Sequence, residues 1–135
     1  MTDHRAQLER LVVALDASPL ALQRDEIRGE GRTGDWGIFG RLGHVYPDGA
    51  GFLLYVGSDE SARRWNNVKA RLCPFCHLVN DGNDEGCFHL DRLPTPTEAE
   101  LIREAIGIRK RRALSDAARS QLERARTLLI RPLAA

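Results

Sequence analysis

Leu8, Leu11, Val12 and Leu15 fall at i, i+3, i+4 and i+7, one stripe of a helix, so the chain opens with an amphipathic helical segment ended by Ser18-Pro19. Glycine is then dense from 28 to 43, which favours a loop leading into an irregular strand, Trp36 to Tyr46. Tyr46-Pro47-Asp48-Gly49 is a turn, and the apolar run Gly51 to Val56 completes a first hairpin. Ser58 as N-cap, Asp59 and Glu60 after it and Lys69 and Arg71 at the far end predict a helix over about 59–72, with Ala62, Trp65, Val68 and Leu72 buried.

A second hairpin joins Phe75–Val79 to Cys87–Asp91 through the turn at 80–86. With the turn centred near Asn83, Cys76 opposes Leu90, His77 opposes His89, Leu78 opposes Phe88 and Val79 opposes Cys87. Cys76, Leu78, Phe88 and Leu90 then face the core, and His77, Val79, Cys87 and His89 face away from it. Thr95-Pro96-Thr97-Glu98 is a capping box opening a helix with Leu101, Ile102, Ala105 and Ile106 on its apolar side, closed by Gly107. Leu114, Ala118, Leu122, Ala125 and Leu129 step by four, four, three and four along a last amphipathic helix, stopped by Pro132.

The order α-β-β-α-β-β-α-α predicts an α+β fold: a four-stranded, mainly antiparallel sheet from two hairpins, packed with helices, plus a C-terminal amphipathic helix. At 135 residues and 42% hydrophobic content this is one domain, with an N-terminal helix over 1–17, an α+β core over 28–106 and a basic helical tail over 107–135. No run approaches the ~18 apolar residues of a membrane span, and MTDHRAQLER has no leader pattern, so a cytoplasmic protein without membrane contact is expected.

The formal charge of +1 hides a split, since residues 97–135 carry nine basic and five acidic groups while the rest carry eleven and fourteen. A tail of net +4 on a body of −3 can steer toward phosphates, toward an acidic protein surface, or toward a second copy. The run Arg109-Lys110-Arg111-Arg112 follows Gly107 between two helices, the outline of a helix-turn-helix, and Arg119, Arg124 and Arg126 extend the positive surface. No aromatic residue accompanies that run in sequence, which makes duplex DNA a better expectation than a single strand.

Three cysteines in a reducing compartment read as thiols or metal ligands. The hairpin register brings Cys73, His77, Cys87 and His89 nearest to a tetrahedral set, a candidate structural zinc site, with thiols packing as small hydrophobes as the plainer alternative. Cys73-Pro74-Phe75-Cys76 resembles a redox dithiol with its helix on the wrong side. Asp81 to Gly86 resembles the start of a calcium loop, but Arg92 stands at the closing position, and Gly29 to Gly34 matches GxGxxG but is followed by a strand and opens no helix. With no nucleophile elbow, Walker loop or paired zinc histidines, no catalytic residue is assigned and enzyme is the minority reading.

The strings GDWGIFGRLGHVY, VNDGNDEGCFHLDRLPT and EAIGIRKRR resemble small uncharacterised proteins of high-GC, especially alphaproteobacterial, genomes and their prophages, over residues 24–112. The resemblance implies a mobile-element accessory protein and carries no site residue. The expected function is therefore a non-enzymatic regulatory binding protein contacting DNA through its basic C-terminal segment. The alternative is an inhibitor or adaptor that binds a protein through the acidic hairpin or the apolar stripe of the last helix, which also suits a homodimer.

Overall fold

The computed structural model describes residues 3–26, 33–112 and 116–130. Among the described residues, four α-helices, α1 (His4–Ala14), α2 (Ala62–Leu72), α3 (Pro96–Ile106) and α4 (Asp116–Ile130), accompany six strands. The strands are β1 (Leu22–Glu26), β2 (Thr33–Phe39), β3 (Gly43–Asp48), β4 (Gly51–Gly57), β5 (His77–Asp81) and β6 (Glu85–Leu90), in the spatial order β1-β2-β3-β4-β6-β5, with every neighbouring pair antiparallel.

The α+β class and the antiparallel sheet agree with the sequence reading; six strands replace the expected four. The single strand over Trp36–Tyr46 is two, because Gly40–Leu42 turn back on the end of α3, with Arg41 N–H donating to the Gly107 carbonyl at 3.1 Å and Leu42 N–H to that of Ile106 at 2.8 Å. A Cβ on Gly40 would come within 2.9 Å of the Gly107 carbonyl carbon, so a side chain there would force the turn off the helix end. The sixth strand, β1, is mostly polar and lies at the sheet edge beside β2.

One face of the sheet is the core. Ile38, Val45, Leu54, Val56, Phe88 and Leu90 point into it and meet Leu8, Leu11 and Leu15 of the first helical segment, Trp65, Val68 and Leu72 of α2, and Ile102 and Ile106 of α3. The second hairpin keeps the expected pairs His77–His89 and Leu78–Phe88, with Cys76, Phe88 and Leu90 buried and Leu78 packed on the core. A bulge at Val79 then shifts the register, so Cys87 pairs with Asn80 instead of Val79. α2 starts three residues later than expected, capped by Ser61, and Ala62 is exposed. Ser58 has another use: it is buried, and its hydroxyl contacts the carbonyl oxygens of Ser61 and Asp84, tying the hairpin tip to the start of α2. Asp59 and Glu60 make the connection with positive φ, which delays the helix.

α3 has its full capping box, and Gly107 closes it in the left-handed conformation at φ 75°. Every described side chain of α4 is exposed, including Leu122. Leu114 and the side chains of Ala118, Arg119 and Leu129 lie outside the described residues. No described helix is long and apolar enough to cross a membrane.

Candidate functional site

Past Gly107 the chain does not enter a second helix, as a helix-turn-helix requires. Residues 109–111 instead pair antiparallel with residues 16–18, just past α1, where Ser18 N–H donates to the Arg109 carbonyl at 2.8 Å, Arg111 N–H donates to the Asp16 carbonyl at 2.7 Å, and Lys110 bridges to Ala17. The first four cations of the expected helical surface therefore lie on a strap. Ile108 is buried beneath its start, which fixes the segment to the body. Arg109, Lys110, Arg111 and Arg112 are all exposed, and none has an ion-pair partner among the described residues. Arg124 and Arg126 are exposed on α4, beyond residues 113–115, which lie outside the described residues.

Docking the 40–42 turn on α3 brings Arg41 beside this strap. Arg41, Arg109, Ser18, Gln23 and Phe39 border one groove of about 480 Å³. Arg41 also pairs with Asp59 at 3.3 Å, with both side chains well exposed, so the interaction is weak and the guanidinium stays open to solvent.

Phe39 belongs at the same time to the face of the sheet opposite the core. Cross-strand register aligns Phe39, His44, Tyr55, Cys87 and Asn80 as one row over β2, β3, β4, β6 and β5. The next row holds Tyr46, Leu53, His89 and His77. His44 stacks on Tyr55 with centroids 4.8 Å apart, Phe39 lies 5.9 Å from His44, and Tyr46 meets both Phe39 and His44 edge-on. Gly37 allows this, since a Cβ there would stand 2.8 Å from the Tyr46 ring. His44, Tyr55, Cys87 and Asn80 of this row also line, with Leu42 and Glu85, a cavity of about 360 Å³.

An aromatic residue thus does accompany the basic run, in space rather than in sequence. The signal was present in the phase of the strands: His44 and Tyr46, and Leu53 and Tyr55, alternate with the core residues Val45, Leu54 and Val56. Seeing that they meet required the registers of three strand pairs.

The proposed zinc ligands are not assembled. Cys73 is exposed at the C-cap of α2, His77 is exposed on the edge strand, and Cys87 is buried beside Tyr55, while His89 points its Nε2 toward Asp48 at 3.6 Å. Among the described residues, no three His, Cys, Asp or Glu side chains converge as a metal site. Burial pushes the Cys76 thiol up to about 12, the opposite of an activated redox cysteine. In the acidic hairpin, Asp81 is committed to Lys69 and Trp65, whose hydrogen bonds hold its carboxyl below the usual range. The chain matches none of the protein-family models, curated proteins or solved structures with which it was compared.

Proposed function

We propose that the protein is a non-enzymatic accessory protein that binds nucleic acid through the strap Arg109–Arg112, with Arg119, Arg124 and Arg126 extending the contact along α4. The observation that carries this reading is the presentation of four consecutive exposed cations, without ionic partners among the described residues, on a backbone fixed to residues 16–18. Cations so placed repel one another, and a polyanion relieves that repulsion while releasing its own counterions. Binding of this kind weakens steeply with salt, and the prophage resemblance of the sequence suits an accessory role of this sort.

The test is a salt titration of the affinity for DNA, comparing the natural protein with Arg111→Glu/Arg112→Glu. The double variant is expected to fold normally, to bind more weakly and to show a logarithmic salt slope flattened by about 0.7–0.9 for each phosphate that it no longer neutralises. Unchanged affinity and slope in the folded variant would assign the strap to solvent. One feature favours the alternative of a protein-binding adaptor or inhibitor, namely Leu122, 50% exposed on α4. A complex insensitive both to salt and to the strap variant, but abolished by Leu122→Glu, would select it.

A further inference from the structure

We propose that the nucleic acid taken by this protein is single-stranded, with its bases on the aromatic outer face of the sheet and its phosphates on Arg41, Arg109 and the strap. This rests on the strap being a polyanion contact and adds a second, chemically different one. Phe39 joins the two, bordering the groove of Arg41 and Arg109 on one side and beginning the row Phe39–His44–Tyr55 on the other. Helices α1, α2 and α3 pack on the opposite face.

Three observations separate a single strand from a duplex. A recognition helix inserted in a major groove needs its cations on a helix start, whereas Arg109–Arg112 lie outside any helix. Aromatic side chains on a sheet reach base faces only where bases are not stacked on a complementary strand. The charges also differ along the row, with Arg41, its exposed partner Asp59 and Arg109 at the Phe39 end, and Glu85 in the wall of the cavity that Tyr55 lines. A strand lying across the sheet therefore keeps its backbone on the β2 side and turns its bases toward Tyr55. The cavity there, at the small end of the ~300–1,000 Å³ range of ligand pockets, can receive one splayed base, with the Asn80 amide at its edge.

Stacking is sequence-tolerant, so both DNA and RNA strands offer the required chemistry. The experiment measures fluorescence anisotropy with three probes, a twelve-nucleotide oligo-dT, the matching oligo-U and a twelve-base-pair DNA duplex. They are titrated with the full chain, Tyr55→Ala, Tyr55→Phe and Arg111→Glu/Arg112→Glu. Tyr55 is partly exposed, so its truncation leaves the core intact, and thermal melting checks this.

A single strand is expected to bind at least tenfold more tightly than the duplex. Tyr55→Ala should weaken that binding about 5- to 150-fold, the loss of one stacked base, while Tyr55→Phe restores it and duplex binding does not change. A preference for oligo-U or for oligo-dT supports the proposal equally and identifies the source. Duplex binding as tight as single-strand binding, or strap-dependent binding that ignores Tyr55→Ala, overturns the single-strand proposal and leaves the strap reading standing. Absence of binding to all three probes overturns both.

Discussion

The indole Nε1 of Trp65 donates to Oδ1 of Asp81 at 2.9 Å, joining the buried side of α2 to the edge strand β5. Trp65 is fully buried, and Gly86 of β6 lies against its ring, where an added Cβ would come within 2.5 Å of Cζ2 and closer still to the Asn80 carbonyl oxygen. Lys69 Nζ reaches the same carboxylate at 2.9 Å from a more exposed position. Asp81→Ala strands the buried Trp65 N–H and is expected to destabilise the fold. Gly86→Ala overpacks a site whose neighbours are an indole and backbone, and should cost about as much or more. Lys69→Ala removes only a partly exposed ion pair, worth about 1 kcal/mol or less. Urea denaturation orders the three, and equal losses for Lys69→Ala and Asp81→Ala would mean that the ion pair, not the indole bond, secures the hairpin.

Glu98 is expected to make the fold sensitive to acid. The guanidinium of Arg92 grips its carboxylate at 2.6 and 2.8 Å and the Thr95 N–H donates to it at 3.0 Å, and together these hold the carboxyl at about 2, well below its ordinary 4.5. Because the folded value is the lower one, the stabilisation is fully present above 4.5 and is lost as the pH falls from there toward 2. Glu98→Gln should cost about 1 kcal/mol at neutral pH, since Arg92 is half exposed and the bond is shared with solvent. The decisive measurement is stability against pH: the variant should show a shallower decline between 4.5 and 2, and a parallel curve would place the acid-sensitive group elsewhere.

The legible parts of the fold were those whose signal is local. The Thr95–Glu98 box and Gly107 frame α3 from within its own sequence, and the hairpin turn fixes the His77–His89 and Leu78–Phe88 pairs. Where the deciding contact was distant, sequence patterning misplaced the element. The break at Gly40–Leu42 depends on carbonyls at 106 and 107, and Ser58 gives up its capping role for a contact with Asp84. β1, Leu-Gln-Arg-Asp-Glu, lacks apolar alternation because it is an edge strand held by pairing to β2. Of the candidate site, Arg109–Arg112 were visible as a run, but their pairing with residues 16–18 and the proximity of Phe39 and Arg41 follow from long-range hydrogen bonds. The zinc set does not converge in the structure, because His77, Cys87 and His89 share the outer face at different depths while Cys73 sits at the C-cap of α2.

The three thiols are expected to differ in reactivity. Cys73 is exposed, whereas Cys76 and Cys87 are buried and the Cys76 thiol is held protonated by its surroundings. An aromatic disulfide reagent under mildly alkaline conditions should label one thiol rapidly and the other two only on unfolding. Treatment with a chelator should leave the melting temperature in place. A melting temperature that falls on chelation and returns with zinc would restore Cys73, His77, Cys87 and His89 as ligands and require the hairpin to rearrange around a metal.

The strap's contribution to binding divides into charge and fixed geometry, and position 111 can separate them. Its backbone N–H donates to the Asp16 carbonyl, while its side chain is exposed, so Arg111→Gln removes the charge alone and Arg111→Pro removes the same charge together with the hydrogen-bond donor. One backbone hydrogen bond contributes about 0.5–1.5 kcal/mol net, enough to loosen a short exposed segment without unfolding the core. If the cations act as a diffuse cloud, the two variants should bind a polyanion equally well. A preorganised strap instead predicts that Arg111→Pro binds about 2- to 10-fold more weakly than Arg111→Gln, with the same salt slope because the same charge is missing from each. Amide hydrogen exchange at Ser18, whose N–H donates to Arg109, supplies the structural readout. Faster exchange at Ser18 in the proline variant, together with weaker binding at constant slope, would establish that Arg109–Arg112 are held in position for their ligand.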